Sequence, residues 1–311
     1  MFSIFKQFRQ AKCIISFVKM GSCPPISAEG WLKNRCQGEK HMTIISISRG
    51  SYRRGKVVAE KVALQLGYRC LSREVILNAS KRFNIPELKL RKAIHDAPSI
   101  LERFGHDKRS YITYYQSVLA RSVQKDNIVY HGMAGHLLLP EVAHLLKVRI
   151  NADMDERVAG EMKRHGTPRK EAKALIIKDD QERRKWTQSL YGVDPWDSNL
   201  YDLVLGVRRF THTNAVDFIC RAARLSQFQT TKISQQKIDD LVISTQIKAA
   251  LIDAFPGIAV KSDYGNVMIY AKSDTRVIRK LQEAAQNYKD EIEGIKSLEI
   301  HPGKVIPPGA V

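Results

Sequence analysis

The run from Thr43 to Gly67 constrains the fold most: Thr-Ile-Ile-Ser-Ile-Ser-Arg-Gly-Ser-Tyr-Arg-Arg-Gly-Lys, then Val-Val-Ala-Glu-Lys-Val-Ala-Leu-Gln-Leu-Gly. Ile44, Ile45 and Ile47 form a short β-branched run that stops at a glycine, the pattern of a strand buried in a parallel sheet. Val58, Val62 and Leu66 recur every four residues and predict a helix closed by Gly67. Between strand and helix, Gly50 and Gly55-Lys56 match the spacing GxxxxGK of a phosphate-cradling loop. Glycines let backbone N–H groups approach an anion, the helix N-terminus adds its dipole, and the lysine neutralises outer phosphates. Val57 departs from the motif, which has Ser or Thr there to ligate Mg²⁺. The competing reading is an ordinary glycine turn with Arg53, Arg54 and Lys56 solvated.

The net charge of +19 is unevenly spread. Residues 1–41 carry +5 (7 basic, 2 acidic), residues 42–228 carry +13 (33 and 20), and residues 229–311 carry +1 (11 and 10). An excess in the segment holding the loop favours an anionic ligand, although a generally basic surface has the same signature. The five cysteines are odd in number and widely spaced, with no disulfide or metal-ligand pattern, so a reducing cytoplasm is expected. Residues 1–41 hold one short apolar run broken by Lys19 and Cys23-Pro24-Pro25, too short to span a bilayer and poor as a secretory signal. They read as a disordered extension or as translation begun upstream of Met42.

Further strands are expected near Tyr68–Leu71, Asn127–Tyr130, Leu145–Ile150 and Tyr201–Leu205, alternating with helices. The fold class is therefore α/β, three α/β/α layers around a mostly parallel sheet. The second strand ends in His131-Gly132-Met133-Ala134-Gly135-His136, at the sheet edge where open α/β folds place ligands. The two histidines are a weak metal signal, and the metal ligands stay undefined. Tyr111, Tyr114 and Tyr115 are spaced for packing more than for stacking a base. A helix over 153–165 carries Arg157, Lys163 and Arg164, and a charged helix over 168–189 carries Arg183 and Arg184. The latter reads either as a solvated face or as a lid whose arginines close over transferring phosphates. A polar linker is expected over 226–236, followed by an α-β-β-α-β module, so the domains are 42–228 and a small α+β domain over 229–311.

Several of these blocks together resemble the cytidylate kinase-like family of P-loop proteins, relatives of nucleoside monophosphate kinases, over residues 42–222. They are Ile45 to Arg49, the Gly50–Lys56 loop, Leu66-Gly-Tyr with Ser72-Arg73-Glu74, Gly132 to Gly135, Asp155-Glu-Arg157, Asp179-Asp180 with Arg183, and Asp197 through Tyr201-Asp202-Leu203-Val204. The resemblance implies phosphoryl transfer from ATP, with Mg²⁺, to CMP or a similar monophosphate. By position, Gly50, Ser51, Tyr52, Arg53, Arg54, Gly55, Lys56 and Val57 would hold the donor phosphates. Arg73, with Gly132 and Gly135, would bind the acceptor; Lys56, Arg157 and Arg183 would be catalytic, with Lys163, Arg164 and Arg184 in the lid. Met133 departs from the family pattern, which usually has arginine there. The C-terminal module loosely resembles a BON-type domain through Tyr264-Gly265-Asn266 and Gly294-Ile295, which implies a phospholipid surface; a protein partner is the other expectation. The rival functions are a non-catalytic nucleotide sensor reporting through that module and, ranked last for want of any recognised motif, a nucleic-acid binder.

Overall fold

Ile44, Ile45 and Ile47 are wholly buried in the computed structural model, which describes residues 42–49, 52–95, 106–207, 210–272, 274–303 and 305–311. The expected N-terminal extension lies outside those residues. The three isoleucines lie on β1 (Ile44–Arg49), the middle strand of a five-stranded sheet. β1 pairs in parallel with β3 (Ile128–Tyr130) on one side and β4 (Leu145–Asn151) on the other. β2 (Arg69–Leu71) extends the sheet beyond β3 and β5 (Leu203–Gly206) extends it beyond β4, also in parallel, so the order is β2-β3-β1-β4-β5.

Ten α-helices are described: α1 (Tyr52–Leu66), α2 (Arg73–Phe83), α3 (Glu87–His95), α4 (His106–Val123), α5 (Gly135–Leu138), α6 (Met154–His165), α7 (Arg169–Tyr191), α8 (His212–Ala223), α9 (Lys232–Leu251) and α10 (Thr275–Asn287). Side chains alternate across a strand, and each face of the sheet has its own core. Ile45, Ile47, Val129 and Val148 pack with Val58 and Val62 of α1 and Val216 and Ile219 of α8. Ile44, Tyr130 and Leu145 face the other way, toward Val75 of α2, Leu119 of α4 and Trp186 of α7. The result is the three-layer α/β/α fold with a mostly parallel sheet that the strand and helix alternation predicts.

The C-terminal elements α9, β6 (Ala259–Asp263), β7 (Asn266–Ala271), α10 and β8 (Ser297–Pro302) follow the expected α-β-β-α-β order. β6 and β7 are antiparallel, and β8 lies parallel to β7. The β6–β7 hairpin turns on Tyr264 (φ 50°) and Gly265 (φ 81°), both left-handed, the two-residue turn whose twist suits a hairpin. A Cβ at position 265 would also strike the carbonyl of Gly294.

The polar run expected as a linker is largely structured. Ser226–Phe228 form a 3₁₀ turn, and α9 begins at Lys232, five residues before the expected start. Its start is set by a capping box: Thr231 Oγ1 accepts from the backbone N–H of Ser234, and Ser234 Oγ accepts from that of Thr231. The same helix then enters two cores. Ile238, Leu241 and Val242 join the core under the parallel sheet, whereas Ile243, Ile247 and Leu251 join Val260, Ile269 and Leu281 of the C-terminal layer.

Candidate active site

α1 follows β1 almost at once. Gly50 and Ser51 lie outside the described residues, as do the side chains of Tyr52, Arg53 and Arg54, but the backbone from Tyr52 to Val57 is helical. The extended cradle expected over Gly50–Lys56 is therefore shorter than the spacing suggests. The local reason is that Tyr-Arg-Arg-Gly-Lys-Val holds no proline and only one glycine, and Arg and Lys are good helix formers. Gly55, the fourth residue of the helix, is buried and closes its first turn, ahead of the core anchor Val58. Lys56 is exposed, with its Nζ 3.6 Å from Glu60 Oε1 along the helix, and Val57 is half-buried. What remains at the end of β1 is the first turn of a fifteen-residue helix, where unpaired N–H groups and the helix dipole favour an anion.

The loop after β3 is shaped by Tyr130. Its hydroxyl lies 2.7 Å from that of Tyr115 and donates to the Met133 carbonyl at 3.1 Å. The ring leaves no room above it: a Cβ at Gly132 would collide with the Tyr130 ring and hydroxyl, and one at Gly135 with the ring and Ser46 Oγ. The two glycines expected as acceptor contacts thus let the loop close over the ring, and Ala134 completes the turn at φ 54°.

A cleft opens at the C-terminal ends of β1, β3 and β4, with about 640 Å³ of empty space including its mouth. Ser48, Gly132 to Ala134 and His136 form its sheet side; Arg149 rises from β4; Asp180, Arg183 and Thr187 come from α7, and Pro195 and Trp196 from the segment after it. Arg149 Nη1 donates to the Pro195 carbonyl (2.7 Å) and to Tyr201 Oη (3.1 Å), and its Nε donates to Asn151 Oδ1 (2.9 Å). None of these direct partners is a carboxylate; the nearest balancing charge is Asp194, which feels Arg149 weakly beside its closer pairing with Arg184. Arg183 has no ion-pair partner among the described residues. Asp180 is already engaged: both its oxygens accept from Arg157, at 2.6 and 2.7 Å. The cleft therefore carries two arginines, Arg149 and Arg183, with no ion pair of their own among the described residues.

α6 and α7 form a hairpin with a small core of its own, Val158 against Ala172 and Ile176. Arg157–Asp180 and Arg169–Asp155 (2.6 Å) cross between the two helices. The far end of α7 is anchored, since Trp186 is buried and its Nε1 donates to the Ala93 carbonyl at 2.9 Å. Arg184 lies 4.7 Å over the Trp196 ring and pairs with Asp194 at 2.6 Å. A backbone hydrogen bond from Trp196, then Arg184, hold the Asp194 carboxyl below its usual range. Of the residues expected in the site, Arg183 reaches the cleft with Gly132 and its neighbours. Arg157 stands behind it, held by Asp180, and Arg184 flanks it. Lys163 is exposed, and Arg164 lies 3.3 Å from Glu161. Arg73 lies outside the cleft, exposed and paired with Glu87 at 2.8 Å.

Sequence reasoning missed Arg149, His136 as a cleft residue, and Trp196. A signal existed for Arg149: Lys147 and Arg149 alternate with buried Leu146, Val148 and Ile150 along β4. Among the described residues no three His, Cys, Asp or Glu side chains are grouped to hold a metal ion. With Val57 lacking a hydroxyl and Asp180 occupied by Arg157, these side chains do not fit a protein-held Mg²⁺.

The sequence model of the cytidylate kinase-like family matches residues 44–209, more than half of the chain. A cytidylate kinase of Methanopyrus kandleri is 35% identical over 80 residues, which are 26% of this chain and 41% of that protein; the alignment thus spans under half of the relative. An uncharacterized protein from Eubacterium ventriosum overlaps in structure with 58% of this chain and 98% of its own, at 20% identity and a TM-score of 0.47. For shikimate kinase from Bacteroides thetaiotaomicron the figures are 59% and 99%, 13% and 0.39. With the family match spanning every strand of the parallel sheet and the whole α6–α7 hairpin, the chain belongs to the cytidylate kinase-like family.

Proposed function

We propose that this protein transfers the γ-phosphate of ATP to CMP, dCMP or a similar nucleoside monophosphate. The observation that carries the reading is the cleft lined by Arg149 and Arg183, neither of them in an ion pair among the described residues, at the sheet edge next to the start of α1. An oxygen of the acceptor phosphate would attack the γ-phosphorus as the bond to the ADP oxygen breaks. Such transfer needs in-line positioning and neutralisation of charge spread over the transferring oxygens. Arg183 would supply that charge from α7, Arg149 would orient the acceptor phosphate, and the first turn of α1 would receive donor phosphates. Lys56 would serve only after leaving Glu60. Mg²⁺ would arrive on the ATP phosphates, which suits an ion that keeps much of its hydration shell.

The second reading is a non-catalytic nucleotide sensor whose output is the C-terminal region, in contact with a protein partner or a phospholipid surface. Val57, the Lys56–Glu60 pair and the capture of Arg157 by Asp180 favour it. We place either activity in the cytoplasm. Cys70 and Cys220 are free thiols, both pushed up to about 11 by burial, and no described helix is long and apolar enough to cross a membrane.

The test is a coupled assay for diphosphate formation with ATP, Mg²⁺ and CMP, dCMP, UMP, AMP or GMP, run beside Arg183→Ala. Turnover of one monophosphate, reduced about a hundredfold or more in the variant, is the expected result. ATP binding without turnover on any acceptor would establish the sensor instead.

A further inference from the structure

His136 lies at the cleft wall with only 7% of its surface exposed, and neither of its buried ring nitrogens has a hydrogen-bond partner among the described residues. Its ring sits 4.7 Å from that of Tyr201, tilted by 45°. Buried polar atoms are nearly always paired, and the exceptions in folded proteins call for a cause such as a water or a ligand. The surroundings also set its charge state. Burial first, then the positive charges of Lys147 and Arg149, push its pKa down to about 4, so the imidazole is neutral at physiological pH. A neutral imidazole offers one donor and one acceptor, whereas a guanidinium only donates. Arg149 and Arg183 suit phosphate oxygens, and Asp180 is taken by Arg157. Of the uncharged polar groups that line the cleft, Thr187 is spent on the Arg183 carbonyl, and His136, beside Ser48 and Trp196, is the buried one that can both donate to and accept from an uncharged partner.

We infer that His136 is the base-reading residue of the acceptor site: its ring turns from Tyr201 to hydrogen-bond the uncharged edge of the acceptor's heterocyclic base, while Arg149 and Arg183 hold the phosphate. The inference rests on the phosphotransfer reading and adds the means of discrimination. A site that hydrogen-bonds a substrate strongly rejects analogues lacking the group, because its own buried atoms are then left unpaired.

The experiment uses the full chain with ¹⁵N-labelled histidine rings, the His136 signals being identified by their absence in His136→Phe. CMP, ribose 5-phosphate and inorganic phosphate are titrated separately, with backbone amide shifts reporting whether each binds. CMP should shift the His136 ring nitrogens, and the other two should not. The His136→Phe variant should bind CMP at least tenfold more weakly with ribose 5-phosphate affinity unchanged, and His136→Gln should recover part of the loss. If CMP binds but leaves the His136 signals and the His136→Phe affinity unchanged, the assignment is overturned while phosphotransfer stands. An equal response to ribose 5-phosphate would move the contact to the sugar and overturn base reading. If no nucleotide perturbs any amide, the phosphotransfer reading falls and this inference with it.

Discussion

Removing the carboxylate of Asp240 should loosen the C-terminal layer and, through α9, the parallel sheet as well. Asp240 is buried on α9 and holds the β6–β7 hairpin directly. Its Oδ1 accepts from Ser262 Oγ at 2.7 Å and from the Gly265 backbone N–H at 2.8 Å. Its Oδ2 accepts from the Tyr264 backbone N–H at 2.9 Å and from Gln236 Nε2 at 3.2 Å. In Asp240→Ala, two turn N–H groups and a buried hydroxyl lose their acceptor. Each unsatisfied buried group costs about 1–3 kcal/mol, and the small space beside Asp240 admits some hydration, so the expected loss is about 3–5 kcal/mol. Asp240→Asn keeps one oxygen but turns an amide NH₂ toward a donor, and should cost about 1–3 kcal/mol. The assay is urea unfolding followed by tryptophan fluorescence. All three tryptophans (Trp31, Trp186 and Trp196) precede residue 200, so they report on the part of the chain without Asp240. A shared helix requires the fluorescence midpoint to fall together with the far-UV circular dichroism midpoint. A loss below about 1 kcal/mol, or a tryptophan transition that stays put while ellipticity shifts, would refute the argument.

Two further outcomes are expected. Because the folded-state pKa of His136 lies below its unfolded value, the unfolded chain binds the extra proton between about pH 6.5 and 4, and stability is lost as pH falls through that window. Relative to its own value at pH 7, His136→Phe should therefore gain about 2–3 kcal/mol on the parent by pH 4.5 in paired urea titrations; parallel curves would show that the imidazole is not held neutral. Arg157→Ala leaves the largely buried Asp180 carboxylate unpaired and should cost about 1–3 kcal/mol in the same unfolding assay, whereas Arg157→Met with Asp180→Leu should recover most of it; a double variant no better than the single one would assign the loss to packing.

Much of the parallel sheet was legible because its three central strands announce themselves locally. Ile44 to Ile47 and Ile128 to Tyr130 are short, mostly apolar runs, as burial on both faces demands, whereas in Leu145 to Ile150 the buried residues alternate with Lys147 and Arg149. The start of α1 was misjudged for a related reason. The GxxxxGK spacing points to a loop, but Tyr52 to Val57 contain too few breakers to resist a helix that already has Val58 and Val62 to bury. Likewise the polar residues 232–236 read as a linker, since a capping box at Thr231 and Ser234 is a weaker signal than composition.

The chain's own order of residues determined the alternation of strands and helices, the α-β-β-α-β tail, and the glycines at 132, 135 and 265, because periodicity, turn chemistry and sterics act over a few neighbours. Only the tertiary structure decided which cations share a cleft. Arg73 and Arg157 found carboxylates, Glu87 and Asp180, whereas Arg149 and Arg183, 34 positions apart, met across the sheet edge without an ion pair of their own among the described residues. Charge pairing depends on distances that spacing along a chain does not encode. For the same reason His136, one histidine of nine, acquires its significance from Lys147, Arg149 and Tyr201 gathered round it by the fold.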